Sequence, residues 1–133
     1  PFTLCHGDFH SSNMLITRAT KDSPDELVLF DWSEVGPWEG TTDLAQIIIS
    51  DVPMALWRHE AKRVVRKYWD RLVQGGVDAK AYPFEQCWQS YCRGGAERWV
   101  WFIGLLADWP GLPAAAGQYF HDQVFAWIEE YQL

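Results

Sequence analysis

The sequence predicts an α+β fold that is mainly helical, a short β hairpin followed by about four helices. Three observations predict it. Two short apolar runs, Met14-Leu15-Ile16 and Leu27-Val28-Leu29-Phe30, flank a polar stretch from Arg18 to Glu26 whose Ser23-Pro24-Asp25 is a turn signal. From Thr41 onward apolar residues recur at helical spacing instead. Pro53, Gly75-Gly76, Pro83 and the turn Pro110-Gly111-Leu112-Pro113 then cut that second part into helix-sized pieces.

The elements follow in order. Phe2-Thr3-Leu4-Cys5 is a short apolar lead-in that reads as a strand entering the loop of Asp8. Met14 to Ile16 is the first strand of the hairpin, and Leu27 to Phe30 reads as a buried second strand. A hairpin returns the chain to its starting end, so Asn13, just before the first strand, and Asp31, just after the second, converge. Gly36-Pro37 and Gly40 mark a loop.

Thr41 or Thr42 can then cap a helix whose first turn holds Asp43, a favourable charge against the helix dipole. Leu44, Ala45, Ile47, Ile48 and Ile49 make this helix apolar nearly all round and therefore buried. Pro53 opens the second helix, with Leu56, Ala61, Val64, Val65, Tyr68, Trp69, Leu72 and Val73 on its core side. Its outer face, Arg58, Lys62, Arg63, Arg66 and Lys67, reads as solvated. Gly75-Gly76 ends it. Pro83 starts a third helix through Cys87, Tyr91, Trp99, Phe102 and Leu106, with Gly94-Gly95 as a weak point or a close-packing site. Ala114 to Tyr131 is a final amphipathic helix.

Composition narrows the class of function. The 133 residues suit one domain with a sizeable core, and 48% hydrophobic residues with nine Trp exclude a disordered chain. A net charge of −7 argues against nucleic acid or an anionic membrane surface as partner. No apolar stretch reaches the length of a membrane span and no signal-peptide pattern is visible, so the expected location is cytoplasmic. Cys5, Cys87 and Cys92 have no metal spacing and read as buried reduced thiols.

The chemistry concentrates in His6-Gly7-Asp8-Phe9-His10-Ser11-Ser12-Asn13 and in Phe30-Asp31-Trp32. A carboxylate, an amide five residues later and a second carboxylate beyond a strand match the needs of phosphoryl transfer from a nucleotide. One carboxylate orients and deprotonates a hydroxyl, while the amide oxygen and the other carboxylate hold magnesium against the phosphates. As turn and strand-end residues the same side chains would need no function at all.

His-Gly-Asp, four residues, Asn, then a strand ending in Asp-Trp, then Gly and Asp-Leu-Ala together resemble the C-terminal lobe of aminoglycoside phosphotransferases. Choline kinases and homoserine kinases share that lobe, which is similar to the larger lobe of protein kinases. The specific match runs from about Cys5 to Gln46. The resemblance implies the C-terminal lobe of a protein-kinase-like fold over residues 1–133, with a catalytic and metal-loop region at 5–46 and a helical part at 47–133.

It further implies magnesium- and ATP- (or GTP-) dependent phosphotransfer to a hydroxyl of a small, aminoglycoside- or choline-like molecule. Asp8 would be the catalytic base, Asn13 and Asp31 the magnesium ligands, and His6 a packing residue that shapes the loop beneath Asp31. Asp43 would accept backbone N–H groups of the catalytic loop, and would otherwise be only a helix N-terminal charge. His10 stands where a phosphate or substrate contact is expected, or is structural. Glu39, Asp51, Trp101 and Asp108 are candidate pocket residues for a cationic acceptor, or plain surface and core residues.

The small lobe of such an enzyme, with its nucleotide-covering loop and strand Lys, has no counterpart in these residues. The expectation is therefore a missing N-terminal lobe as partner and weak or no turnover by this stretch alone. The competing reading is a non-catalytic remnant that keeps a small-molecule-binding module. A metal-dependent hydrolase built on Cys5, His6, Asp8 and His10 is a third. Gly7 stands where a helical zinc motif needs its catalytic Glu, which weighs against it.

Overall fold

The computed structural model describes residues 2–21 and 23–133. It is an α+β arrangement dominated by four helices. Strand β1 (Thr3–Cys5) is followed by a 3-10 turn (Ser11–Asn13), β2 (Met14–Thr17), β3 (Glu26–Leu29) and β4 (Gly36–Trp38). The helices are α1 (Thr41–Asp51), α2 (Met54–Gln74), α3 (Phe84–Ala107) and α4 (Ala114–Tyr131).

The expected hairpin is β2 against β3, antiparallel, with Met14 opposite Leu29 and Thr17 opposite Glu26. The polar connection between them includes Asp22, which lies outside the described residues. Phe30 N–H donates to the Asn13 carbonyl at 3.2 Å, so residues 13 and 31 leave the same end of the hairpin. Two expectations change here. The second strand was expected to be buried, yet Leu27 and Val28 are exposed, as are Leu15 and Ile16 opposite them. An apolar run states what a strand can bury, whereas coverage depends on what packs over it. Gly36-Pro37-Trp38, expected as loop, is strand β4, paired antiparallel with β1 through Leu4 opposite Pro37. A two-stranded ribbon consists of edges only, and there a proline without an N–H donor is tolerated.

Helix α1 is the centre of the fold and packs chiefly on α3, which in turn carries α4. Ala45, Ile48 and Ile49 are buried, as the apolar pattern requires. No threonine caps the helix: Gly40 is its N-cap, and a Cβ there would stand 2.0 Å from the Tyr68 hydroxyl. Helix α2 buries Trp57, Ala61 and Val65 at intervals of four, while Leu56, expected inside, is exposed. Arg58, Lys62, Arg63, Arg66 and Lys67 face outward, as expected.

Helix α3 runs unbroken through Gly94-Gly95. The pair is a close-packing site, since a Cβ on Gly95 would lie 2.6 Å from the Trp127 ring. Trp127 donates its indole N–H to the Cys92 carbonyl at 2.7 Å, and Trp57 donates to the Gln123 amide oxygen at 2.8 Å. These bonds satisfy the polar atoms of rings buried for their apolar area. All three cysteines are free and buried. Among the described residues no helix is long and apolar enough to cross a membrane.

Candidate active site

Strand β1 delivers the chain to a sharp turn at Gly7, whose φ is +83°. A Cβ at that position would sit 2.0 Å from the Glu34 carbonyl oxygen, so only glycine fits the turn. The turn is held by Asp43 in the first turn of α1. Its carboxylate accepts the His6 N–H at 2.7 Å and the Gly7 N–H at 3.0 Å. Charge-assisted bonds of this kind fix the loop relative to the helix.

Asp8 projects from this turn. Its Oδ1 accepts the Gln46 side-chain N–H at 2.8 Å, and Arg98 Nη2 lies 3.8 Å from the same oxygen. Its Oδ2 faces Asn13 Nδ2 at 3.1 Å and His10 Nε2 at 3.2 Å. Burial pushes the Asp8 carboxyl up. The Gln46 bond, the charge and bond of His10 and the Arg98 charge outweigh burial and hold it below the ordinary value. Asp8 is thus an ionised hydrogen-bond acceptor at neutral pH.

His6 is buried beneath the loop. Asp8 N–H donates to its Nδ1 at 3.3 Å, which leaves Nε2 to donate to the Phe30 carbonyl at 2.9 Å. The ring therefore acts as a clamp between the Asp8 turn and the residue before Asp31. Trp32 packs on it with ring centroids 4.6 Å apart. With both nitrogens facing backbone, and Cys5 Sγ directed at the Trp38 carbonyl, the hydrolase reading loses two of its four ligands. Among the described residues no three of His, Cys, Asp and Glu converge as a metal site.

Asn13 is buried at the end of the 3-10 turn, and its Nδ2 also donates to the Asp8 carbonyl at 3.0 Å. With that nitrogen committed to Asp8, the amide oxygen is the group left for another partner. Asp31 is exposed in the left-handed region at φ 59°, unusual for a residue other than glycine. Ser33 Oγ donates to Asp31 Oδ1 at 2.9 Å. An amide oxygen and a carboxylate are hard oxygen donors, and magnesium commonly takes only one or two protein ligands beside phosphate and water. The residues present fit that ion.

A groove of about 530 Å³ opens beside Asp8. Of the four pocket candidates, Asp51 and Trp101 line it. Asp51 also anchors the loop: it accepts the Ser11 N–H at 3.1 Å, with the Ser11 and Ser50 hydroxyls on the same carboxylate. Glu39 instead borders a separate cleft of about 700 Å³ between β4 and α3. Asp108 is the exposed C-cap of α3 and lines neither cavity. The groove wall is largely aromatic and aliphatic, including Trp99, Phe102, Leu105, Trp109 and Phe120.

Two residues at the centre of this geometry, Gln46 and Arg98, escaped the sequence reading. Gln46 had a signal. Asp43, Gln46 and Ser50 form a polar stripe at helical spacing on an otherwise apolar helix, and each reaches the Asp8 loop or its anchor Asp51. Arg98 had none, since only the packing of α3 on α1 brings it to Asp8.

Residues 2–79 of the chain match the ecdysteroid kinase-like family, which lies within the protein-kinase-like and choline kinase-like superfamily. The matched region spans β1 to the loop after α2, and so contains Asp8, Asn13, Asp31, Asp43 and Gln46. Neither a curated protein nor a solved structure matches the chain.

Proposed function

The chain belongs to the ecdysteroid kinase-like family, and from that premise we propose that it carries the catalytic loop of a small-molecule kinase. The reaction is transfer of a phosphoryl group from ATP (or GTP) to a hydroxyl of the acceptor. The observation that carries this reading is the ionised Asp8 at the mouth of an aromatic groove, with Asn13 bonded to it and Asp31 at the same hairpin end.

In this mechanism the acceptor lies in the groove with its hydroxyl donating to Asp8 Oδ2. His10, a third exposed and at 3.2 Å, is the partner that yields this oxygen most readily. The acceptor oxygen bonds to phosphorus, the bond from phosphorus to the nucleoside diphosphate breaks, and the hydroxyl proton passes to Asp8. Catalysis of such a loose transition state is mainly positioning, which suits a carboxylate held ionised as an orienting acceptor. Asn13 and Asp31 would hold magnesium, which would supply positive charge to neutralise the nucleotide phosphates.

The groove wall supports a largely apolar, hydroxylated acceptor over the amino sugar or choline-like cation expected from sequence. Trp99, Trp101, Phe102 and Trp109 offer ring faces and edges, and the family description itself names ecdysteroids, which are hydroxylated steroids. Magnesium- and ATP-dependent phosphorylation of an acceptor panel by the full natural protein tests the reading. Transfer to apolar polycyclic alcohols in preference to aminoglycosides and choline is expected. Preference for the cations contradicts the acceptor assignment, and no transfer to any hydroxyl contradicts the function.

A further inference from the structure

Arg98 is the permanent cation of the groove among its described lining residues, and the mechanism above gives it no contact with the reacting groups. The other charged groups facing it are the carboxylates of Asp8, Glu34 and Asp51, with His10 the second basic side chain. Its Nη2 stands 3.8 Å from Asp8 Oδ1, too far for a hydrogen bond, and that oxygen already takes the Gln46 N–H at 2.8 Å. Among the described residues the Arg98 guanidinium makes no hydrogen bond, and its side chain is 32% exposed toward the groove. A planar fork of donors is thus held at Asp8 without being spent on it.

On the reading above, from which this inference proceeds, the transferred phosphoryl group stands one P–O bond and one hydrogen bond from the Asp8 carboxylate. Its three oxygens share negative charge in the transition state. Asp8 alone would repel that group, as would Glu34 and Asp51. We propose that Arg98 contacts the transferred phosphoryl group, its N–H donors taking phosphoryl oxygens on the acceptor side of the groove. Gln46 makes this geometry workable: because the amide satisfies Asp8 Oδ1, the guanidinium can turn toward the arriving anion. The residue lies outside the family-matched region, on a helix that the catalytic motifs do not include.

A residue that merely kept Asp8 ionised would behave differently: the carboxyl, held low chiefly by Gln46 and His10, stays ionised at pH 7 without Arg98, so turnover would barely change. Turnover is compared in the full natural protein, R98Q and R98K at pH 7 and pH 9. The expected result is a loss of kcat of about a hundredfold or more in R98Q, with the acceptor KM changed little. The loss persists at pH 9, and R98K recovers part of it. Full recovery of R98Q at pH 9, or turnover equal to wild type, overturns the proposal. R98K carries the same comparison if R98Q does not fold.

A second measurement is independent of turnover. Inorganic phosphate is titrated against both proteins and read by tryptophan fluorescence, since Trp99, Trp101 and Trp109 line the groove. Binding by wild type that weakens about tenfold in R98Q supports the contact. Equal binding, or none in wild type, overturns it, whereas absent phosphotransfer by wild type contradicts only the functional reading.

Discussion

Gln46, in the middle of α1, donates its side-chain N–H to Asp8 Oδ1 at 2.8 Å, joining the most buried helix of the fold to the candidate catalytic carboxylate. The helix thereby does more than fill the core. Its polar stripe aims Asp43 at the loop backbone and Gln46 at the carboxylate.

Replacing Gln46 by alanine removes that bond and leaves Asp8 Oδ1 without its nearest donor. Loss of roughly 1–2 kcal/mol of stability is expected from urea denaturation. Turnover should fall more steeply than stability, because the carboxylate loses its fixed orientation. A variant that keeps wild-type turnover would show that Gln46 does not position Asp8.

Gly7 and Gly76 provide a matched pair of positive-φ glycines. At Gly7 a Cβ meets the Glu34 carbonyl oxygen at 2.0 Å, while at Gly76 nothing lies within 4 Å. Gly76→Ala should cost only the backbone penalty of about 1–2 kcal/mol. Gly7→Ala must also displace the backbone at residue 34, so its thermal midpoint should fall well below that of Gly76→Ala. Equal midpoints would contradict the packing of the turn.

Acid stability should depend on Asp51. Burial pushes its carboxyl up, but the bonds from Ser11 and Ser50 and the nearby His10 outweigh burial and hold it below the ordinary value. A depressed carboxyl contributes stability that is fully present above its unfolded value of about 3.9 and is lost as pH falls through the folded value. The urea midpoint should therefore drop between pH 5 and pH 2.5, and Asp51→Asn should narrow that drop. An unchanged acid slope in the variant would remove Asp51 from the account.

The cysteines should be inert in the folded chain. Burial pushes all three thiols up, Cys92 to about 12, and the Asp43 charge adds to the effect at Cys5. Thiolate is the reactive form, so alkylation at pH 8 should be slow in buffer and should reach all three residues in urea. Rapid labelling of the native chain would contradict their burial.

Local pattern made much of this legible. The hairpin, the four helices and the common hairpin end of residues 13 and 31 follow from apolar periodicity and Pro and Gly punctuation. Strand β4 was hidden because Gly36-Pro37 resembles a turn, and only pairing with β1 makes it a strand. The exposure of Leu27 and Val28 was hidden because apolar content does not state what covers it. At the site, Asp8, Asn13 and Asp31 stand out by spacing and Asp43 through the family resemblance, whereas Arg98 reaches Asp8 from 90 residues away through helix packing. Glu39 and Asp51 looked alike as acidic pocket candidates. Only the path of α1 decides that Asp51 borders the groove and Glu39 the opposite cleft.

The central claim is that Asp8 orients and receives the proton of an acceptor hydroxyl. Asp8→Asn keeps the size of the side chain and removes its charge. In the full natural protein, with ATP, magnesium and the best acceptor, phosphoryl transfer by this variant should fall about a thousandfold while its thermal unfolding stays close to wild type. Wild-type transfer by a folded Asp8→Asn protein would contradict the account.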